Sequence, residues 1–234
     1  VNTAIIAPSK FLKSWGTQDF CWCFASIAAE DSGYLAFHKR RRDMGATVIL
    51  DHSPGVPRKP VSHQLLFEMI GRLGPTHVVL PDSDFTTEKT IRAAQEFTRR
   101  YGTLDNIQYI GMIQGTTLVE LERCYQQMRT LSHIIGLPSS NEKILTRNEI
   151  IEALDIDEPT FFFEIHKDPM EELPDSPTVT GLATSWPVRL GLTLRTLDEY
   201  EPTPKPLDFS LTQLESQYTE IIKRNISEFL SRVG

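Results

Sequence analysis

Val78-Val79-Leu80 is an unbroken apolar run that stops at Pro81 and leads directly to Asp82 and Asp84. A strand buried on both faces has no polar alternation, and a proline cannot donate to a sheet ladder, so pairing should end there. Thr86 or Thr87 then caps a run with helical spacing through Tyr101, which closes on Arg99 and Arg100 where a helix dipole favours cations. A buried strand that carries acids to its C-terminal end and turns at once into a helix is one βα unit.

The pattern recurs. Apolar runs of the same kind stand at 3–7, 20–24, 47–50, 107–113, 133–135, 160–163 and 178–182, making eight with 78–80. Between them, helical spacing covers 31–43, 61–73, 87–101, a segment opening at Thr117, and 146–154. Thr117 with Glu120 and Thr146 with Glu149 have the capping-box spacing. Residues 52–57, His-Ser-Pro-Gly-Val-Pro, break regular structure directly after a strand. A proline-rich acidic segment at 198–208 leads to an amphipathic helix at 210–232. Eight strands separated mainly by helices predict an α/β fold, a compact (β/α)8 TIM barrel in one domain over 1–234. A phosphate-binding Gly-x-Gly-x-x-Gly or Walker loop would favour an open doubly wound sheet, and neither is in the sequence.

Composition narrows the partners. With 40% hydrophobic residues and no apolar run near the length of a bilayer span, the reading is a soluble protein without membrane association. Three cysteines fit a reducing cytoplasm better than a disulfide framework. Cys21-Trp22-Cys23 puts two thiols on one face of a strand, but two ligands do not close a zinc site. The net charge of −7 is uneven: residues 1–148 carry 17 Lys and Arg against 14 Asp and Glu, whereas 149–208 carry 4 against 14. A chain-wide nucleic-acid footprint is missing, and only Lys39-Arg40-Arg41-Arg42, with Arg58 and Lys59, is locally basic.

In a barrel the reactive groups gather where strands exit at the C-terminal face. Asp51, His52, Asp82, Asp84, Gln114, Glu164, His166 and Thr184 fall there. Each has a structural alternative, since an acid at a strand-to-helix junction can simply form a turn or cap a helix. Two chemistries fit the set. A carboxylate can serve as nucleophile or general acid/base while other polar groups read the edge of a heterocycle. Alternatively Asp51, His52 or His166 would bind a divalent metal that activates water, as in a metal-dependent barrel hydrolase, although no His-x-His or His-Glu-x-x-His spacing accompanies them.

Several motifs, in order, resemble the tRNA-guanine transglycosylases and their relatives that place 7-deazaguanines in DNA, including compact phage-encoded forms. Gly111-Met-Ile-Gln-Gly115, followed by Thr117-Leu-Val-Glu-Leu-Glu-Arg123, is similar to the family's Gly-x-x-Gln-Gly strand end and the helix after it. Leu50-Asp51, with His52-Ser-Pro-Gly55 behind it, stands where the family has Asp-Ser-Gly-Gly. Val79-Leu-Pro-Asp82 and Ile135-Gly-Leu137 fall where it reads the base, and Gly181-Leu-Ala-Thr-Ser-Trp-Pro-Val-Arg189 resembles its last-strand Pro-Thr-Arg motif. The resemblance implies guanine or a 7-deazaguanine as ligand and DNA or tRNA as polymer. It implies Asp51 as the general acid/base, with Asp82 and Gln114, beside Gly115, hydrogen-bonding the base. Gly136 and Leu137 would offer backbone groups. The family reaction exchanges one base for another through a covalent glycosyl–enzyme intermediate.

Two departures stand out. The position of the family's nucleophilic Asp is Ala183, and the cysteine cluster with a distant histidine that holds its structural zinc is missing, so no cofactor is expected. Either another group, such as Asp84, Glu164 or Thr184, takes over the covalent step, or the chain is a non-catalytic base-binding partner of an active paralogous subunit. Assembly as a homodimer is compatible with either.

Overall fold

The structure is a computed structural model and describes residues 1–16, 18–52, 61–83, 86–164, 173, 178–188 and 216–233. Its strands are β1 (Asn2–Ile5), β2 (Phe20–Phe24), β3 (Thr47–Asp51), β4 (His77–Val79), β5 (Gln108–Met112), β6 (Ile134–Pro138), β7 (Thr160–Phe163) and β8 (Val179–Thr184). All hydrogen-bonded neighbours are parallel, in the order β1-β8-β7-β6-β5-β4-β3-β2. The two ends of that order, β1 and β2, lie against each other, so the sheet curls into a nearly closed barrel. Helices α1 (Leu12–Trp15), α2 (Ala25–Glu30), α3 (Ser32–Asp43), α4 (His63–Leu73), α5 (Thr87–Tyr101), α6 (Leu118–Leu131), α7 (Arg147–Leu154) and α8 (Ser216–Val233) alternate with the strands or follow them. The chain is a (β/α)8 TIM barrel.

Period-two alternation explains why the strands read as solid apolar runs, because each strand faces a core on both sides. The inner core holds Ala4, Ile6, Trp22, Phe24, Ile49, Val79, Ile110, Met112, Ile134, Phe161, Phe163 and Ala183. The outer core joins Cys21, Cys23, Val48, Leu50, Val78, Leu80, Leu137, Phe162 and Leu182 to the inward faces of the helices, among them Leu66, Met69, Phe97, Leu121 and Met128. Aromatic rings fill the barrel: Trp22 meets Phe163 edge-on at 4.8 Å and Phe161 at 5.6 Å between centroids. Two glycines make room for them. A Cβ on Gly181 would sit 2.8 Å from Cδ2 of Phe161, and one on Gly136 would sit 3.0 Å from Cε2 of Phe163 and collide with Sδ of Met112.

Helix ends follow the sequence signals, with differences. Thr146 and Glu149 form the complete capping box of α7. Thr117 accepts the Glu120 N–H, but the Glu120 carboxylate turns to the N–H and hydroxyl of Thr116 one residue earlier. Thr86 occupies the N-cap of α5, which releases Thr87 to make a tertiary contact. The short helices α1 and α2 are too brief to give a periodic signal, and Asp31 ends the second by capping α3 through the Tyr34 N–H. The basic run closes α3 and works structurally. Arg41 donates to the Gln18 carbonyl and the Asp19 carboxylate, and Arg42 to the Leu73 carbonyl and Asp43. The C-terminal helix spans Ser216–Val233, while 198–208 and the expected first residues of that helix lie outside the described residues. Among the described residues no helix is long and apolar enough to cross a membrane.

Candidate functional site

The alternation that sends Ile49 inward also sends Asp51 inward, at the last position of β3 and in register with Phe24. Its carboxylate is buried and accepts two N–H groups: Oδ2 takes the indole Nε1–H of Trp22 at 3.2 Å, and Oδ1 takes the backbone N–H of His52 at 2.7 Å. The buried imidazole of His52 reaches across to the end of β4. There its Nε2 lies 3.2 Å from the Val79 carbonyl and its Nδ1 3.5 Å from Oδ1 of Asp82.

Asp82 reaches this position because the ladder stops where the sequence predicts. Leu80 still donates to the Ile110 carbonyl at 2.9 Å, Pro81 has no donor, and the chain leaves the sheet with the Asp82 side chain only 1% exposed. Its second oxygen, Oδ2, accepts the Gln114 amide Nε2–H at 2.9 Å. Gln114 stands two residues past β5, where side chains replace the lost ladder. Its carbonyl accepts the Thr87 hydroxyl at 2.7 Å and its N–H points to the Cys124 sulfur at 3.4 Å. The preceding carbonyl, of Ile113, accepts the Asn141 amide at 2.9 Å. Burial pushes the Cys124 thiol up to about 12, so it stays protonated and can donate to the Met112 carbonyl while its sulfur accepts from Gln114.

Trp22, Asp51, His52, Asp82 and Gln114 therefore form one connected chain of buried polar groups across the ends of β2, β3, β4 and β5. Buried carboxylates are tolerable only where such donors replace water. Four members were expected at the rim. Trp22 was not, because the Cys-Trp-Cys motif draws attention to its thiols, although alternation already puts the indole on the opposite, inward face. Thr87, Cys124 and Asn141 also escape a linear reading, since each acts on a strand end from a neighbouring element.

The remaining candidates are distributed differently. Gly115 lies where a Cβ would press to 3.0 Å on Cβ of Glu120, so its bareness lets α6 approach the strand end. The Gly136 carbonyl accepts the Ile113 N–H at 3.0 Å, and the Leu137 side chain is buried in the outer core. Glu164 follows β7 with a left-handed φ of 56°, its N–H bonded to the Ala183 carbonyl and its carbonyl to buried Arg147. Thr184 turns its hydroxyl to the Trp186 N–H at 3.0 Å. Ala183 faces the inner core, in register with Phe163 and Ala4. Asp84, His166 and Arg189 lie outside the described residues, as does the 53–60 segment after His52.

Neither a protein-family model nor a curated protein sequence matches the chain. Among the described residues no group of three or more His, Cys, Asp or Glu side chains could hold a metal ion. What the arrangement offers is a row of fixed donors and acceptors, suited to the polar edge of a planar heterocycle.

Proposed function

We propose that the barrel binds guanine or a 7-deazaguanine at its C-terminal rim and acts as a transglycosylase-like protein on DNA or tRNA. The observation that carries the reading is the contact between Gln114 and Asp82, 2.9 Å apart, in the same polar chain as Asp51. These are the three side chains that the resemblance assigns to base reading and acid/base work, and they come from three adjacent strands. A carboxylate accepts from a ring N–H and an exocyclic amine, and a Gln amide donates to a carbonyl, which together match the edge of a guanine-type base. Asp51, supported by the Trp22 and His52 N–H groups, is the group assigned to proton transfer at the glycosidic bond.

Ala183 favours a second reading. Its methyl group is packed in the inner core and supplies no nucleophile. On that reading the chain is a base-binding subunit that works beside an active paralogue. One experiment separates the two: incubate the protein with labelled guanine or 7-deazaguanine and either DNA or tRNA. Incorporation that disappears in Asp51→Ala supports an enzyme. Base binding by calorimetry that is weakened in Asp82→Ala and Gln114→Ala, with exchange only when a partner protein is added, supports the subunit. Absence of any purine or deazapurine binding defeats both.

A further inference from the structure

His52 has an oxygen acceptor at each ring nitrogen: the Val79 carbonyl 3.2 Å from Nε2 and the Asp82 carboxylate 3.5 Å from Nδ1. A neutral imidazole carries one N–H and one lone pair, so one nitrogen would face an oxygen lone pair across a buried gap. An amide carbonyl does not take a proton at neutral pH, so the Val79 side requires Nε2–H. The Asp82 side requires one further proton, held either by the ring or by the carboxyl group. Free histidine holds a proton about 2.6 pH units more tightly than free aspartate does. Asp82 already accepts the Gln114 amide on its other oxygen, and the Asp51 carboxylate belongs to the residue next to His52.

We propose that His52 is a specificity-determining residue: as an imidazolium bridging Val79 and Asp82, it keeps Asp82 an ionised hydrogen-bond acceptor. The cation offsets one of the two rim carboxylate charges. It also decides which bases fit, and this part rests on the base-binding reading above. An accepting Asp82 pairs with the adjacent ring N–H and amine of guanine or a 7-deazaguanine. It repels adenine, whose ring nitrogen at that place bears a lone pair. When the ring loses its proton, the Nδ1 lone pair turns on Asp82 and the acceptor is displaced. Among the described residues, the titratable groups around the imidazole are Asp51 from β3, Asp82 from the segment after β4, and His63 from α4, whose own proton affinity is lowered by burial first and by the charge of His52 to a lesser degree.

The proton count is read directly by long-range proton–nitrogen NMR on the ligand-free, nitrogen-15-labelled protein. His52 is assigned by loss of its signals in His52→Gln, or in His52→Asn if the first variant does not fold. Both ring nitrogens are expected to carry protons at pH 7, and the ring in Asp82→Asn to lose its second proton at a pH at least one unit lower. One bare ring nitrogen at pH 7 in the wild type overturns the proposal. Calorimetry with guanine then tests the specificity role. Above the ring's titration, log Kd should rise by about one per pH unit, the signature of one linked proton, and this slope should vanish in His52→Gln. A wild-type affinity that is flat through the ring's titration overturns that role. If guanine fails to bind at any pH while the imidazolium signals are present, the base-binding reading and the specificity role fall and the proton assignment stands.

Discussion

Replacing Trp22 with Phe isolates the hydrogen bond that secures Asp51. The indole Nε1–H lies 3.2 Å from Oδ2 of a buried carboxylate, and a phenyl ring cannot donate. Hydrogen bonds to charged groups contribute about 1.5–3 kcal/mol each. The variant also leaves a gap beside Phe161 and Phe163, because phenyl is smaller than indole. A double-mutant cycle with Asp51→Leu, which removes the acceptor at similar volume, separates the two effects. The packing loss is common to both arms, so the coupling energy is expected at about 2 kcal/mol. Urea unfolding followed by far-ultraviolet circular dichroism measures all four proteins without depending on the fluorescence of the residue removed, and equal m-values show that the unfolding transition is comparable. Additivity of the two substitutions within about 0.5 kcal/mol would refute the view that the indole holds the carboxylate. On the transglycosylase reading, Trp22→Phe lowers exchange less than Asp51→Ala does, because it perturbs the acid/base group without deleting it.

Three further outcomes are expected. Burial lowers the proton affinity of His38 to about 3, between the rings of Tyr34 and Phe37. The unfolded chain therefore takes up the proton first. The neutral ring's stabilisation is complete above pH 6.5 and is lost as pH falls toward 3, so between pH 7 and pH 5 His38→Leu should lose about 2 kcal/mol less stability than wild type; parallel pH profiles would contradict this. Thr87→Val keeps the shape but removes the hydroxyl that donates to the Gln114 carbonyl at 2.7 Å, with an expected loss of about 1–3 kcal/mol by urea unfolding; an unchanged midpoint would show that this contact does not hold the strand end. Gly181→Ala drives a methyl group into Phe161 and should destabilise by about 1–3 kcal/mol, with part of the loss recovered in Gly181→Ala/Phe161→Leu; a fully stable single variant would mean that the inner core is not packed against this glycine.

The site is assembled from strand ends that the barrel alone brings together. Asp51 and Asp82 belong to neighbouring strands, and His52 spans the gap between them because β3 and β4 pair with Ile49 opposite His77 and Leu50 opposite Val78. The position that faces the inner core on β8 is apolar at Ala183. The connected chain of Trp22, Asp51, His52, Asp82 and Gln114 thus lies on the β2–β5 side of the rim.

Much of this was legible in the linear chain, for a local reason. A strand buried on both faces must be apolar throughout, and a proline or acid must end it. The runs around Val78 and Leu50 therefore revealed both the strands and the acids at their exits. Capping residues are local too, and Thr146 with Glu149 behaved as their spacing predicts. The partners of those acids were not legible. Trp22 meets Asp51 across 29 residues and Gln114 meets Asp82 across 32. Thr87 left its apparent capping duty for a carbonyl 27 residues away. Such contacts depend on the register between parallel strands and on the curvature that closes the barrel, and neither leaves a periodic trace in sequence. The apolar runs and their terminating residues are enough to bring Asp51, His52, Asp82 and Gln114 to one face of the barrel. That these side chains touch, that Trp22 joins them, and that His52 lies between two acceptors follows from the closed barrel, because hydrogen-bond geometry is set by through-space distances that its curvature fixes.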